Sequence, residues 1–294
     1  MTHHHIVGAA LDGAQVAAIF DRQGTGIAKF GALLDGSGID FVVLRPDSAT
    51  VRFAPSVAAA VLARHTRSVG LVVGAAPLRD HPYNLARRLG SIDHASGGRV
   101  GWLVLLGEPA AADGRSVWTS APRGDVPADA VRAVRELWES WPPDAVVDDR
   151  EHGVFADSAR IRYVDHTGAH SITGPLNIPE PPQIKPPIFA ESPVPAEYRD
   201  LAGLADVVLG LPGTPVRGPV LRWVDAGSSG PAPTDAAGVV IAGEGSPAAI
   251  VAAAARHVTA TAAAPPGTTL RARLRLPAPE PVLPRDARSA FPAA

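Results

Sequence analysis

Eight short apolar runs recur along the chain, and they are continuous rather than alternating. They are Ile6–Leu11, Ile39–Leu44, Ser68–Gly74, Val100–Leu106, Pro187–Ala190, Ala205–Leu209, Pro219–Val224 and Gly238–Ala242. A half-exposed strand alternates apolar and polar residues. A strand buried on both faces does not, and such strands belong to parallel sheets covered by helices. Helical spacing fills several of the intervals: Val57–His65, Pro82–His94, Ala128–Trp141, Pro195–Leu204 and Pro247–Ala260. Strand–helix alternation with about eight strands predicts an α/β fold, a (β/α)8 TIM-barrel-like cylinder.

Two features depart from a minimal barrel. Residues 145–186 are polar, poor in strand signals and closed by Pro179-Glu180-Pro181-Pro182, which predicts a long insertion after strand four. The late connections are short. Ten residues separate Leu209 from Val220 and thirteen separate Val224 from Gly238, both stretches rich in Gly or Pro. Neither has room for a full crossover helix of ordinary length, so eroded late crossovers are expected. Residues 1–284 read as one domain and 285–294 as a flexible tail.

Composition narrows the function. The chain has 294 residues, 46% of them apolar, and a formal charge of −2. No overall positive field draws it to nucleic acid or to an anionic membrane. It has no cysteine, so disulfides and thiolate metal sites are excluded. No apolar run approaches the ~18 residues of a membrane span. The N-terminus lacks the pattern of a secretion signal, so a cytoplasmic location is the default. His3-His4-His5 are adjacent in an extended segment and point to alternate faces, which argues against convergence on one ion.

The stretch YNLARRLGSIDHASGGRVGW, residues 83–102, joins an amphipathic helix to an apolar strand through Gly97-Gly98. Glycines at a helix end supply positive φ, so the chain can reverse into the next strand. Arg99 is expected to tie this turn to a carboxylate, with Asp93 the candidate. A helix-to-strand turn lies at the N-terminal face of a barrel, whereas barrel chemistry lies at the strands' C-terminal ends. These residues therefore read as architecture.

The same region carries a resemblance. Residues 64–102, RHTRSVGLVVGAAPLRDHPYNLARRLGSIDHASGGRVGW, resemble the bacterial-luciferase-like flavin monooxygenases, in the branch of nitrilotriacetate and dibenzothiophene-sulfone monooxygenases. ELWESW with residues 148–192, including Gly174-Pro-Leu-Asn-Ile-Pro179, follows the same branch, and PGTTLR at 266–271 is similar to its closing segment. The resemblance implies an FMN-dependent monooxygenase that uses reduced flavin and O2 on a small organic substrate. It also implies a separate flavin reductase as partner, and a homodimer or a heterodimer with a related barrel.

By position in the family pattern, FMN would meet Gly74 and Ala75 after strand three, Leu103 in strand four and Ser192 after strand five. No catalytic residue and no metal ligand is singled out. Several of these positions lack the family's polar groups. Gly74-Ala75-Ala76-Pro77 carries no hydroxyl, Leu103 stands where members place an Asn, Leu106 occupies a hydroxyl-bearing strand end, and Glu191-Ser192-Pro193 replaces a small-residue phosphate turn. Leucine offers no hydrogen bond, and proline no amide donor. The residues thus leave two readings open: an active flavin monooxygenase, or a catalytically inactive relative serving as a binding or partner subunit.

Other chemistries are less well supported. The histidines show no HxH or HExxH spacing, and no GxSxG occurs. His166 and His170 flank Thr167-Gly168, which predicts a turn within the insertion. Trp102, Trp138, Trp141 and Trp223 read as core, and Trp118 as a loop residue near the barrel mouth.

Overall fold

The computed structural model describes residues 5–20, 26–46, 54–107, 125–210, 218–230, 233, 235–259, 265, 267–284 and 286–291. All eight apolar runs form strands: β1 (Ile6–Leu11), β2 (Phe41–Leu44), β3 (Gly70–Ala75), β4 (Val100–Val104), β5 (Ile188–Glu191), β6 (Val207–Leu209), β7 (Val220–Asp225) and β8 (Gly238–Ala242). They close into a barrel in sequential order, with every pairing parallel. The helices are α1 (Gly13–Ile19), α2 (Ile27–Gly36), α3 (Pro55–His65), α4 (Pro82–Ser96), α5 (Val126–Glu139), α6 (Arg199–Leu204), α7 (Pro247–Ala255) and α8 (Leu270–Arg273). The early helices α1 and α2 lie in intervals that the apolar spacing does not mark. Among the described residues, the β7–β8 connection carries no helix, in keeping with the eroded crossover.

Alternation along each strand sorts the core into two shells. Outward residues such as Val42, Leu71, Trp102 and Ile188 meet the helices. Inward residues such as Phe41, Leu103, Leu105, Phe189 and Val240 fill the cylinder. Phe41 and Phe189 face each other across it at 5.3 Å between ring centroids. The PGTTLR segment ends in α8, whose Leu270 joins this inner cluster together with Leu274 just beyond it.

The turn after α4 is built as the glycines require. Gly97 and Gly98 take φ of 69° and 83°, and a Cβ on Gly98 would lie 2.8 Å from Thr269. Arg99 departs from expectation. It donates not to Asp93 but to the carbonyls of Ala63, Thr66, Val69 and Ser96 and to the Thr66 hydroxyl. A planar fork of donors suits several fixed carbonyls where one carboxylate would use only part of it. Asp93 instead accepts from Val100 N and from both the amide and the side chain of Gln183. Burial pushes its carboxyl up to about 6, against these hydrogen bonds.

The insertion lies between α5 and β5 and covers α5. His166–Thr167 and Ser171–Ile172 pair as a short hairpin, the turn expected there. His166 bridges Glu136 (2.7 Å) and Asp129 (3.2 Å), and His170 meets the other oxygen of Asp129 at 3.1 Å. Hydrogen bonds to Asp129 and Glu136 lift His166 to about 9 against the opposing effect of burial. Burial acts to raise Asp129, but its imidazole partners outweigh that and hold it well below the usual carboxylate range. Residues 286–291, expected to fray, are engaged with the insertion. Tyr163 N donates to Arg288 O, Ala290 N donates to Ile161 O, and the Arg288 guanidinium sits 4.1 Å from the Tyr163 ring centre.

Candidate functional site at the barrel mouth

Barrel chemistry belongs at the C-terminal strand ends, where the loops are free to vary. Here two strand ends on opposite sides of the mouth meet. Arg45, directly after β2, and Glu191, the last residue of β5, form a bidentate pair. Nη1–Oε1 is 2.5 Å and Nη2–Oε2 is 3.3 Å. Side-chain exposures of 32% and 36% leave the pair partly in solvent.

A cavity lies on each side of the pair. The larger, about 710 Å3, opens between the ends of β1, β7 and β8, with Asp12, Gln15, Trp223, Asp225 and Glu244 in its wall. The smaller, about 260 Å3, includes the apolar side chains of Leu105, Leu106, Pro193 and Leu201. Arg45 and Glu191 line both, so the ion pair stands where the two adjoin.

The larger cavity is acidic because of how its loops are built. Asp12 caps α1, its Oδ1 accepting from Gln15 N at 2.8 Å. The Gln15 amide in turn donates to the carbonyls of Gly243 and Gly245 and so holds the turn after β8. Asp225, at the end of β7, accepts from Gly227 N at 2.8 Å. Trp223 faces the inside of the barrel, packed on the inner cluster and exposed to the cavity. The core position expected from the sequence holds in that Trp223 packs on the inner cluster, but it is only half-buried and lines the cavity as well. Strand parity carries the missed signal, since Leu221, Trp223 and Asp225 share one face of β7.

Of the four positions proposed from the family pattern, Gly74, Ala75 and Leu103 lie together, Gly74 pairing with Leu103 across β3 and β4, and Ser192 lies apart from them after β5. Gly74 faces inward, and a Cβ there would lie 3.0 Å from Leu44 O and 3.3 Å from Leu105. Ala75 faces the helices, and its carbonyl accepts from Leu105 N and the Trp102 indole. Leu103 is wholly buried in the inner cluster and lines neither cavity. Ser192 lies at the mouth beside Glu191, but its N–H donates to Leu209 O, and Pro193 has none. Trp118 and His3-His4 fall outside the described residues.

A flavin mononucleotide needs donors for its ring and amides or cations for its phosphate. The described residues do not fit it. The guanidinium shared by both cavities is engaged by Glu191, the turn after β5 has no unused amide at Ser192 or Pro193, and Asp12, Asp225 and Glu244 line the larger cavity. Among the described residues, no helix is long and apolar enough to cross a membrane.

Comparison with known proteins places this geometry in a family. The model of the luciferase-like monooxygenases matches residues 23–218. A pristinamycin IIA synthase subunit from Streptomyces pristinaespiralis is 33% identical over 272 residues, covering 84% of this chain and 87% of that protein. Dibenzothiophene-sulfone monooxygenase of Rhodococcus erythropolis is 33% identical over 182 residues, 60% of this chain but 40% of that protein. The chain therefore spans most of the first relative and less than half of the second. The structure of EDTA monooxygenase from Chelativorans sp. BNC1 superimposes with a TM-score of 0.64 over 93% of this chain and 99% of that one, at 16% identity. That likeness concerns the fold alone. A closed parallel barrel, the matched family model and a relative similar over nearly its whole length lead to one conclusion: the chain belongs to the luciferase-like monooxygenase family.

Proposed function

We propose that this chain is a subunit of a luciferase-like oxygenase that does not itself hold FMN, and that it works paired with a related barrel that does. The observation that carries the reading is the Arg45–Glu191 pair, which crosses the mouth where the family's flavin ring would sit. Leu103, Leu105 and Leu106 offer no ring donors, Glu191 and Pro193 occupy the phosphate turn, and Asp12, Asp225 and Glu244 make the larger cavity acidic. Losing several neutral hydrogen bonds of ~1 kcal/mol each, and phosphate contacts of ~1.5–3 kcal/mol, weakens binding by orders of magnitude. The relative similar over 87% of its length is itself named a subunit of a synthase, which supports the paired arrangement.

The second reading is a self-sufficient FMN-dependent monooxygenase, supplied with reduced flavin by a reductase and acting with O2 on a small organic substrate. The roughly 710 Å3 cavity at the catalytic end of the barrel favours it. Titrating the purified chain with FMN, and anaerobically with reduced FMN, while following flavin fluorescence separates the two. No quenching at millimolar flavin supports the paired-subunit reading. Binding tighter than ~10 µM, about −7 kcal/mol, overturns it in favour of the second.

A further inference from the structure

The two cavities adjoin at the Arg45–Glu191 pair, which lines both. We propose that Arg45 and Glu191 form a latch across the mouth, and that the chamber beneath it receives a flat aromatic ligand without a phosphate. The inference rests on the reading that the mouth is closed to FMN and adds what closes it and what it admits.

Three observations carry it. First, the same two residues stand in the walls of both cavities, so the pair sits where the two adjoin. Second, the latch is weakly held. Both side chains are about a third exposed and reach across from strands that are not neighbours, so water competes for the pair and it opens at little cost. The floor does not share this freedom, since Leu105 is buried in the inner cluster. Third, the lining combines two chemistries, with Trp223 and the acidic side chains in the larger cavity and the leucines in the smaller. Trp223 and Leu105–Leu106 offer flat and apolar surfaces, whereas Asp12, Asp225 and Glu244 form an acidic rim. An aromatic ring gains from the first. A phosphate is repelled by the second.

Riboflavin and FMN are suitable probes, because they share a ring system and differ by the phosphate. Fluorescence quenching is measured for the wild type, the Arg45→Ala/Glu191→Ala double variant and the charge exchange Arg45→Glu/Glu191→Arg. The double alanine variant should bind riboflavin at least tenfold more tightly than the wild type, and should bind FMN about tenfold more weakly than riboflavin. The exchange variant restores an ion pair of reversed sense and should return to wild-type behaviour.

If the double alanine variant gains no riboflavin affinity, or the exchange variant binds as well as it does, the latch is overturned. Equal binding of FMN and riboflavin overturns the assigned ligand class. Tight FMN binding by the wild type would count against the paired-subunit reading, whereas the latch is judged by the ratio between variants.

Discussion

The two ends of the barrel use charge in opposite ways. At the N-terminal end, Arg99 is 3% exposed and Asp93 is fully buried, and each is surrounded by fixed partners. Gln183 joins them to the rest, accepting from Arg271 N while its amide donates to Asp93 and to Val100 O. At the mouth, Arg45 and Glu191 have chiefly each other, and Asp225 and Glu244 face solvent. Leaving a buried polar group without its partner costs about 1–3 kcal/mol, so these contacts hold the N-terminal end in one arrangement. Partly exposed groups lose little when they separate, so the mouth is free to change with function. Stability and specificity thus sit at opposite faces of one cylinder.

The sharpest way to break this contrast is Arg99→Met. It strands the carbonyls of residues 63, 66, 69 and 96, and chemical denaturation should show a loss of about 3–4 kcal/mol. Leu103→Asn buries an amide in the inner cluster and should cost about 3 kcal/mol. Its flavin titration should match the wild type, because Leu103 lies below the cavities. A gain in FMN affinity for that variant would move the ring deeper into the barrel than the mouth allows.

The insertion offers an intermediate case. His166 is raised from 6.5 to about 9 in the folded chain. A raised folded value stabilises fully below the unfolded value, and the advantage fades as pH rises through about 9. Denaturation midpoints of the wild type should therefore fall between pH 6.5 and 9 by an amount worth about 2–3 kcal/mol, and His166→Gln should flatten that slope. A slope that persists in the variant would assign the titration elsewhere. The smallest effect is expected at the mouth. Arg45→Ala/Glu191→Ala should change stability by less than about 1 kcal/mol, measured in the same denaturant series. A loss as large as that of Arg99→Met would erase the distinction between the two ends.

Much of the barrel is legible in the sequence because buried parallel strands leave a strong local mark. The run at Gly238–Ala242 is uniformly apolar, and it is buried along most of its length as β8. α2 leaves a weaker mark, since its apolar residues are broken by Gly31 and Gly36 and no side chain caps its start. At the site, Glu191 stands out as a charge in a phosphate turn, but Arg45 does not. A lone arginine after a strand gives no sign of what it faces.

What the sequence determined alone is the cylinder: eight short apolar segments, most of them too apolar to face water on either side. What only the tertiary structure decided is which charges meet. Arg45 and Glu191 are 146 residues apart, and His170 lies 41 residues from Asp129. Hydrophobic burial needs only the right residue types at the right period, so it is written locally. An ion pair needs two atoms within about 4 Å, and closure of the barrel is what brings opposite strand ends that close.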